Sequence, residues 1–298
     1  MTKLVSVIIP NYKRIDKLER SINSVLNQTY TNYEIIVVDD NSPNINEIEK
    51  MIKQFESTKI KFIKSIVNKG GGGARNIGIN NAQGEFISFL DSDDEWLKNK
   101  LEKQISYYLD NIKDSNCILF SKILMDRGYE KTIFPKNYIP DNIRDIAKYI
   151  FIENGLVHTN VLFMPTKIAK NIMFDDKLRK HQDYDFVLRA AKEGVTFQMI
   201  NETLAVWYNG RSGDRMGNNH SYQISIEWFE NNKDILGDKR IQNAFIKRDV
   251  VHQISSNKFS IKSLLKLLEL YNKGYIDFFQ LFKSSLIVFI INPKKFLN

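Results

Sequence analysis

The chain has 298 residues, is 43% hydrophobic and carries a net charge of +8, which suits one large domain with a smaller appendage. Its single cysteine, Cys117, excludes an internal disulfide and fits a reducing compartment. The apolar stretch at residues 4–10 is too short for a signal peptide and is followed by no small-residue cleavage site, so we expect a cytoplasmic protein.

The first hundred residues alternate between short apolar runs, which predict buried strands, and stretches with apolar residues at helical spacing. This order predicts right-handed crossovers and an α/β fold with a mainly parallel sheet flanked by helices. The predicted elements are strands at 5–9, 33–38, 60–65 and 85–90, helices at 15–26 and 45–55, and a short helix that ends at Gly84.

Polar clusters follow three of these strands: Asn11-Tyr12, Asp39-Asp40, and the acids that begin at Asp91. In open parallel sheets, ligands bind beyond the carboxyl ends of the strands. We therefore expect these separate loops to converge on one crevice.

Beyond Trp96 the pattern is less regular. The polar, Gly-rich residues 209–221 predict a loop or lid, and from Tyr222 onward the pattern is helical. The other predicted elements are helices at 97–105 and 184–193, strands at 117–125 and 161–165, and two strands within 196–208.

Positive charge is concentrated near the C-terminus, where residues 250–298 hold seven lysines and two acids, a net charge of +5. This charge fits a solvated helix face, an anionic membrane surface or a phosphate-bearing substrate. The apolar stretch at 278–291 is interrupted by Lys283 and is shorter than the roughly 20 residues that span a bilayer. It is interpreted as a helix packed on the protein or at a homodimer interface, or as a helix lying on a membrane surface.

The stretch FLDSDDEW (89–96) places four acids directly after a predicted buried strand. The alternation in Asp91-Ser92-Asp93 can point two carboxylates to one side, and carboxylate oxygens suit Mg²⁺ or Mn²⁺ with positions left open for phosphate. We favour this interpretation. The alternative is an Asx turn in which Asp93 or Asp94 caps a helix that starts near Trp96.

Two further features are each open to two interpretations. Asp39-Asp40 can accept hydrogen bonds from a nucleobase or a ribose, or can form a turn and cap before the next helix. The four glycines at 70–73 and Arg75 can approach a phosphate closely, or can be a flexible connector. The glycine run matches neither a P-loop nor a dinucleotide-binding motif.

The segment HQDYDFVLR (181–189) opens a predicted helix with two acids, Asp183 and Asp185. A general base must be a carboxylate close to the reacting hydroxyl, and Asp183 is a candidate. Acids in a first helical turn are also favoured by the helix dipole. Spacing alone does not distinguish the two interpretations.

Together these segments resemble the family 2 inverting glycosyltransferases of the GT-A fold, a Rossmann-like nucleotide-diphospho-sugar transferase fold. The resemblance is dense over residues 4–100, sparse to about residue 210 and absent afterwards. Four motifs in this order and spacing are far more specific than any one of them. They are VSVIIPNYKR, SVLNQTYTNYEIIVVDDNS, NKGGGGARNIGINNAQGEFISFLDSDDEW and, with less agreement, HQDYDFVLR.

The resemblance implies transfer of a sugar from a nucleotide-diphosphate sugar, a UDP-sugar, to an acceptor hydroxyl with inversion. It also implies a divalent cation, Mn²⁺ or Mg²⁺, held by Asp91 and Asp93, and Asp183 as the catalytic base. The process implied is the biosynthesis of a cell-surface polysaccharide such as a capsule. Nucleotide contacts are expected from Pro10, Asn11, Tyr12, Asp39, Asp40, Arg75, Asp91 and Ser92, and further donor or acceptor contacts from Gln182, Arg211 and His220.

The expected catalytic domain is 1–220, with a nucleotide-binding half at 1–100 and an acceptor half at 101–220. The expected C-terminal region, 221–298, is a helical extension that contacts a membrane surface or a second subunit. The expected partners are the donor and a glycan or lipid-linked glycan acceptor at the inner face of the plasma membrane. Nucleic acid is not expected, because the basic excess lies on an apolar terminal region without a nucleic-acid motif.

Two alternatives remain. A sugar nucleotidyltransferase would carry a Gly-rich, basic loop directly after the first strand, where this chain has PNYKR. A non-catalytic sugar-nucleotide-binding protein would bind the donor without turnover. Gln182 keeps this second alternative open, because the family commonly has Glu at that position.

Overall fold

The computed structural model describes residues 2–136, 142–143, 145–210, 222–256 and 261–290. The chain forms two compact units, the first from residues 1–146 and 155–214 and the second from residues 147–154 and 215–298. The first unit contains a sheet flanked by helices, and the second is helical.

The strands all belong to the first unit. They are β1 (Val5–Asn11), β2 (Tyr33–Asp39), β3 (Ile60–Lys64), β4 (Phe86–Phe89), β5 (Glu95–Trp96), β6 (Cys117–Asp126), β7 (Lys131–Phe134), β8 (Asn142–Ile143), β9 (Phe163–Pro165) and β10 (Thr196–Tyr208). The helices up to residue 192 are α1 (Asp16–Leu26), α2 (Ile45–Lys53), α3 (Gly70–Asn81), α4 (Lys100–Asn111), α5 (Ile146–Phe151), α6 (Thr166–Ile172) and α7 (Gln182–Lys192).

The strands form one sheet in the order β3-β2-β1-β4-β9-β6-β10-β5, with β7 beside β6 and β8 beside β10. β1 lies between β2 and β4 and pairs in parallel with both, and β2 pairs in parallel with β3. This half of the sheet is parallel, as predicted. Asn11 at the end of β1 is in register with Asp39 at the end of β2. The polar ends of these strands therefore lie at one edge of the sheet.

The second half of the sheet is mixed. β9 pairs antiparallel with β4 and β6, whereas β6 and β10 pair in parallel. This arrangement joins the early parallel strands to the later part of the chain through β9. The segment that precedes β9 is therefore carried to the end of β4, next to the acid cluster.

Packing in the first unit is tight because apolar strands are covered on both faces. Every residue of β1 is buried, so neither of its faces contacts solvent. A Cβ atom added at Gly78 of α3 would lie 2.4 Å from Cγ2 of Ile8. The close approach of α3 to β1 therefore requires glycine at position 78.

The predicted start of the helix after Trp96 is wrong, although the helix itself forms. Glu95 and Trp96 form β5, which pairs antiparallel with β10, and α4 begins only at Lys100. Asp93 and Asp94 consequently do not cap a helix, and their side chains make other contacts.

Two predicted strand boundaries also need correction. Residues 196–208 form one strand, β10, with register shifts between Ile200 and Ala205 where two strands were expected. The strand expected at 161–165 begins at Phe163 and follows a short 3-10 helix, Thr159–Val161. An irregular stretch within a long strand interrupts the period-two pattern, which made one strand read as two.

The second unit is helical, as the pattern from Tyr222 onward predicts. Its aromatic core centres on Phe245, whose ring centroid lies 5.0 Å from that of Trp228 and 5.8 Å from that of Phe229. Among the described residues, no helix combines the length and apolar character needed to cross a membrane. The helices are α8 (Tyr222–Asn232), α9 (Lys239–Phe245), α10 (His252–Ser256), α11 (Ile261–Asn272) and α12 (Phe278–Ile290), with a π-helical stretch at Ile246–Val251.

A fully buried lysine, Lys100, ties α4 to the centre of the sheet. Its Nζ atom donates to Ser88 Oγ at 2.8 Å and to Gln104 Oε1 at 2.6 Å, and lies 3.8 Å from the centroid of the Trp96 ring. Gln104 in turn donates to the carbonyl of Val161. Burial lowers the pKa of Lys100 well below its usual range, because the charged form loses its hydration.

The Lys100→Met variant should change the pH dependence of stability. Since the pKa of Lys100 is lower in the folded than in the unfolded state, the unfolded state binds more protons, and the free energy of unfolding rises with pH until the unfolded pKa near 10.5. Urea denaturation at neutral and alkaline pH should therefore show the wild type gaining stability relative to the variant as pH rises. A constant difference between the two proteins would contradict this account.

Candidate active site

The first part of the site lies at the ends of β1 and β2. Asp39 is fully buried and accepts hydrogen bonds from Asn11 Nδ2 at 3.1 Å and from both the backbone N–H and the hydroxyl of Ser42. The side-chain oxygen of Asn11 is buried, and no hydrogen-bond donor among the described residues reaches it. Because buried polar atoms are nearly always paired, this oxygen is an acceptor available to a ligand.

Asp40 lies at the N-terminus of α3. Its two carboxylate oxygens accept from the backbone N–H groups of Lys69 and Gly70, each at 2.7 Å. Burial raises the pKa of Asp40, and these two hydrogen bonds and the charge of Arg179 partly offset that rise. Gly70 has a φ of +75°, and an added Cβ there would collide with the Arg179 guanidinium. Arg179 therefore lies over the glycine turn beside Asp40.

The second part is the acid turn, residues 91–94, which follows β4. Its carboxyl groups lie in different environments. Asp91 pairs with Arg75, and its backbone N–H donates to Asn160 Oδ1 at 2.7 Å. Burial opposes ionisation of Asp91, but the charges of Arg75 and His158 outweigh it, so the pKa of this carboxyl is lowered. Asp91 is thus held as a carboxylate.

Asp94 is 2% exposed and faces inward. It accepts from Asn160 Nδ2 at 2.5 Å and from the backbone N–H of Tyr208 at 2.8 Å. Burial, together with the nearby charges of Asp93 and Asp91, raises the pKa of Asp94 well above its usual range. An added cation would relieve this repulsion.

Asp93 points elsewhere. One of its carboxylate oxygens lies 3.0 Å from Nη2 of Arg14, and its backbone carbonyl accepts from Arg20. Arg14 also donates to the hydroxyl of Ser92 at 3.2 Å. Ser92 and Asp93 are therefore tied to the segment that follows β1.

The third part of the site is His158, whose ring lies beside Asp91 and Asp94. The ligand atoms of Asp91, Asp94 and His158 all lie within 4.8 Å of one another. The His158 ring packs against Trp207, with ring centroids 4.9 Å apart. This cluster has a donor set and spacing compatible with one divalent cation.

The fourth part is the start of α7. Burial raises the pKa of Asp183, the nearby charge of Asp91 adds to the rise, and the charges of His158 and Arg75 and a hydrogen bond from the Thr159 backbone oppose it. These interactions place Asp183 beside the acid turn although 92 positions separate it from Asp91 in sequence. The net result is a carboxyl that is more basic than an ordinary aspartate.

Gln182 joins α7 to α3, because its Oε1 atom accepts from Arg75 Nη1 at 2.9 Å. Asp185, the other acid of the first turn, is buried and pairs with Arg189 at 2.7 Å. Arg189 also donates to the carbonyls of Ile172 and Met173. The two acids of this turn therefore differ: Asp185 holds Arg189, which ties α7 to the end of α6, and Asp183 faces the site.

Pro10 and Tyr12, which were also predicted for the site, lie at the end of β1. Pro10 is buried within β1, and the Tyr12 ring lies 4.8 Å from Nζ of Lys13. Arg211 and His220 lie outside the described residues. The structure thus brings Asn11, Asp39 and Asp40 to one edge of the sheet, and Arg75, Asp91, Gln182 and Asp183 to one cluster.

Sequence reasoning missed His158, Asn160 and Arg179. The polar triplet His158-Thr159-Asn160 interrupts an otherwise apolar stretch, GLVHTNVLF, and such an interruption just before a buried strand was a usable signal. Arg179 carries no comparable signal, because it lies in a charged loop.

The fold is an α/β fold with an acid cluster at the ends of its parallel strands, and a family comparison assigns the chain. Residues 6–165, more than half of the chain, match the family model described as Glycosyl transferase family 2. The chain belongs to this family and is a glycosyltransferase. The predicted GT-A fold is confirmed.

Individual relatives are consistent with this assignment. The amylovoran biosynthesis glycosyltransferase AmsB of Erwinia amylovora is 32% identical over 234 residues, which cover 76% of this chain and 76% of AmsB. The UDP-Glc:alpha-D-GlcNAc-diphosphoundecaprenol beta-1,3-glucosyltransferase WfgD of Escherichia coli is 45% identical over 108 residues, which cover 36% of this chain and 42% of WfgD.

A solved structure has the same fold. The crystal structure of S. aureus TarS 1-349 in complex with UDP-GlcNAc aligns with a TM-score of 0.68 at 17% identity, over 95% of this chain and 88% of that chain. At this identity the likeness concerns the fold.

Asn160→Ala should destabilise the first unit. The substitution leaves the buried Asp91 N–H and the Asp94 carboxyl without their partner, which costs about 1–3 kcal/mol for a buried group. Urea denaturation should show this loss, whereas Asn111→Ala, which removes an exposed side chain bonded within its own helix, should change stability by less than about 0.5 kcal/mol. Equal losses in the two variants would contradict a special role for Asn160.

Proposed function

We propose that this glycosyltransferase moves a hexosyl group from a UDP-sugar to an acceptor hydroxyl, with inversion and with a divalent cation, in the assembly of a bacterial cell-surface polysaccharide. The observation that carries the proposal is the convergence of Asp183 on Asp91 and Arg75. A base then lies beside the groups that stabilise a departing diphosphate. The name of the relative AmsB, an amylovoran biosynthesis glycosyltransferase, supports the polysaccharide assignment.

In this proposal the nucleotide binds at the ends of β1, β2 and β4. The unpaired Asn11 oxygen can accept from a nucleobase N–H, and Asp39 and Asp40 are fixed by buried hydrogen bonds while retaining further lone pairs. The complex of TarS with UDP-GlcNAc supports a UDP-sugar as the donor. The proposed nucleotide contacts are Pro10, Asn11, Tyr12, Asp39, Asp40, Arg75, Asp91 and Ser92.

The acid turn fits a divalent cation. Two carboxylates and one imidazole, from Asp91, Asp94 and His158, are ligands that Mn²⁺ accepts. Burial and, after it, the charges of Asp93 and Asp91 raise the pKa of Asp94, and a cation would relieve the repulsion among these acids. Bound there, Mn²⁺ or Mg²⁺ would neutralise charge that develops on the diphosphate leaving group. Asp93, the other predicted ligand, stays a candidate that would have to exchange its contact with Arg14.

The chain's own residues supply the proton transfer. Asp183 accepts the proton of the acceptor hydroxyl while that oxygen forms a bond to the anomeric carbon and the bond from this carbon to the diphosphate breaks. Arg75 lies next to the developing negative charge. A direct displacement inverts the anomeric carbon and needs no enzyme nucleophile, so the buried Cys117 has no role in it.

The proposed acceptor is a lipid-linked glycan at the inner face of the plasma membrane. The name of WfgD, which acts on a GlcNAc-diphosphoundecaprenol, supports this class of acceptor. Gln182 is held by Arg75 beside the base and is proposed as an acceptor or donor contact, as are Arg211 and His220. The proposed catalytic domain is 1–220, with a nucleotide-binding half at 1–100, an acceptor half at 101–220 and a helical region at 221–298.

Asp183→Asn tests the base. The variant keeps the shape of the side chain but cannot accept the proton, so kcat should fall by about 10²- to 10⁴-fold while the Kd of the UDP-sugar stays within about twofold. Turnover is measured as UDP release with a panel of polyprenyl-diphosphate saccharides, and binding by calorimetry. Asp176→Asn, which neutralises an exposed acid seven positions earlier, should leave both quantities unchanged.

Three results would reject the proposal in different ways. Retained turnover in Asp183→Asn would remove the base assignment. Donor binding without turnover in the wild type would indicate a sugar-nucleotide-binding protein. Formation of UDP-sugar from UTP and a sugar phosphate would indicate a nucleotidyltransferase.

A further inference from the structure

Helix α12 of the second unit exposes a row of large apolar side chains. Phe278, Phe279 and Phe282 are 68%, 74% and 60% exposed, and Leu286 is 47% exposed, whereas Ser284 is 1% exposed. Residues 278, 282 and 286 are four positions apart and residue 279 lies beside them, so all four share one helix face. The inward side, with Ser284 and Val288, packs within the second unit.

Charge on this segment has one sign. Residues 278–298 contain three lysines, Lys283, Lys294 and Lys295, and no acid. Lys283 is exposed and follows Phe282 directly on α12. The nearest acid, Asp277, caps the helix, because its carboxylate accepts from the backbone N–H of Gln280 at 2.7 Å.

These features distinguish among the surfaces that could cover three phenylalanines. A two-fold contact between copies of this face would bring lysines together with no acid of α12 to pair them, and lysine is depleted in protein interfaces. A bilayer with anionic headgroups accepts both features at once, because the aromatic rings enter the interface and the lysines remain among the phosphates. With 13 residues, α12 is too short to span a bilayer and long enough to lie on one.

We propose that the face of α12 formed by Phe278, Phe279, Phe282, Lys283 and Leu286 docks the protein onto an anionic membrane surface. The helix lies in the plane of the interface, with its aromatic side in the headgroup region and its inward side on the second unit. This inference rests on α12 alone and holds independently of the donor, the acceptor and the catalytic residues.

Co-sedimentation of the full chain with vesicles tests the docking, without donor or acceptor present. The wild type should bind vesicles of phosphatidylcholine and phosphatidylglycerol and bind pure phosphatidylcholine far more weakly. Phe279→Ser combined with Phe282→Ser should weaken binding at least about tenfold. Lys283→Glu should weaken binding about fivefold to the anionic vesicles only.

The matched control removes exposed apolar side chains outside this face. Leu109→Ser combined with Ile133→Ser, at positions 55% and 46% exposed in the first unit, should bind vesicles as the wild type does. Circular dichroism checks that every variant is folded. Sedimentation velocity, run on the same proteins, measures the oligomeric state.

Three outcomes would overturn the inference. Wild-type protein that fails to bind anionic vesicles, or vesicle binding that survives both the phenylalanine and the lysine substitutions, would exclude α12 as the docking surface. A dimer that dissociates only in the phenylalanine variant, with no vesicle binding by the wild type, would assign the face to a second copy of the chain.

Discussion

The candidate site depends on one ion pair, between the buried Arg75 and the partly exposed Asp91. The Arg75 guanidinium is almost fully buried, and its two terminal nitrogens bind different elements, Asp91 after β4 and Gln182 at the start of α7. Removing one partner of such a pair leaves an uncompensated buried charge, which is strongly destabilising. The pair and the contact of Arg75 with Gln182 therefore hold α3, the acid turn and α7 against one another, and the pair keeps Asp91 ionised.

The acid turn is built as two opposite environments. Asp91 is stabilised as a carboxylate by Arg75, whereas Asp94 is buried among other acids and has a raised pKa. Asn160 bonds to both residues and holds them at a fixed distance from His158. Repulsion among these acids favours a bound cation, which would offset their negative charge. In the proposed reaction the same cation would bind the donor diphosphate.

Much of the first hundred residues was predictable, because buried parallel strands and amphipathic helices leave strong local patterns and the acids fall at strand ends. The convergence of Arg75, Asp91 and Asp183 was expected only through the family resemblance. His158 and Asn160 were missed because β9 brings them to the acid turn by antiparallel pairing with β4, a long-range contact without a local pattern. The start of α4 was misplaced because the acids before Trp96 resemble a helix cap, whereas pairing with β10 extends the chain there.

The proposed reaction depends on a cation that the acid turn holds and that binds the nucleotide diphosphate. Calorimetric titration of UDP into the wild type and Asp94→Asn, each with Mn²⁺ and with a chelator, tests it most directly. We expect Mn²⁺ to tighten UDP binding by about tenfold or more in the wild type, and Asp94→Asn to lose most of this gain. Equal UDP affinity with Mn²⁺ and with chelator in the wild type, or a full Mn²⁺ effect in Asp94→Asn, would contradict it.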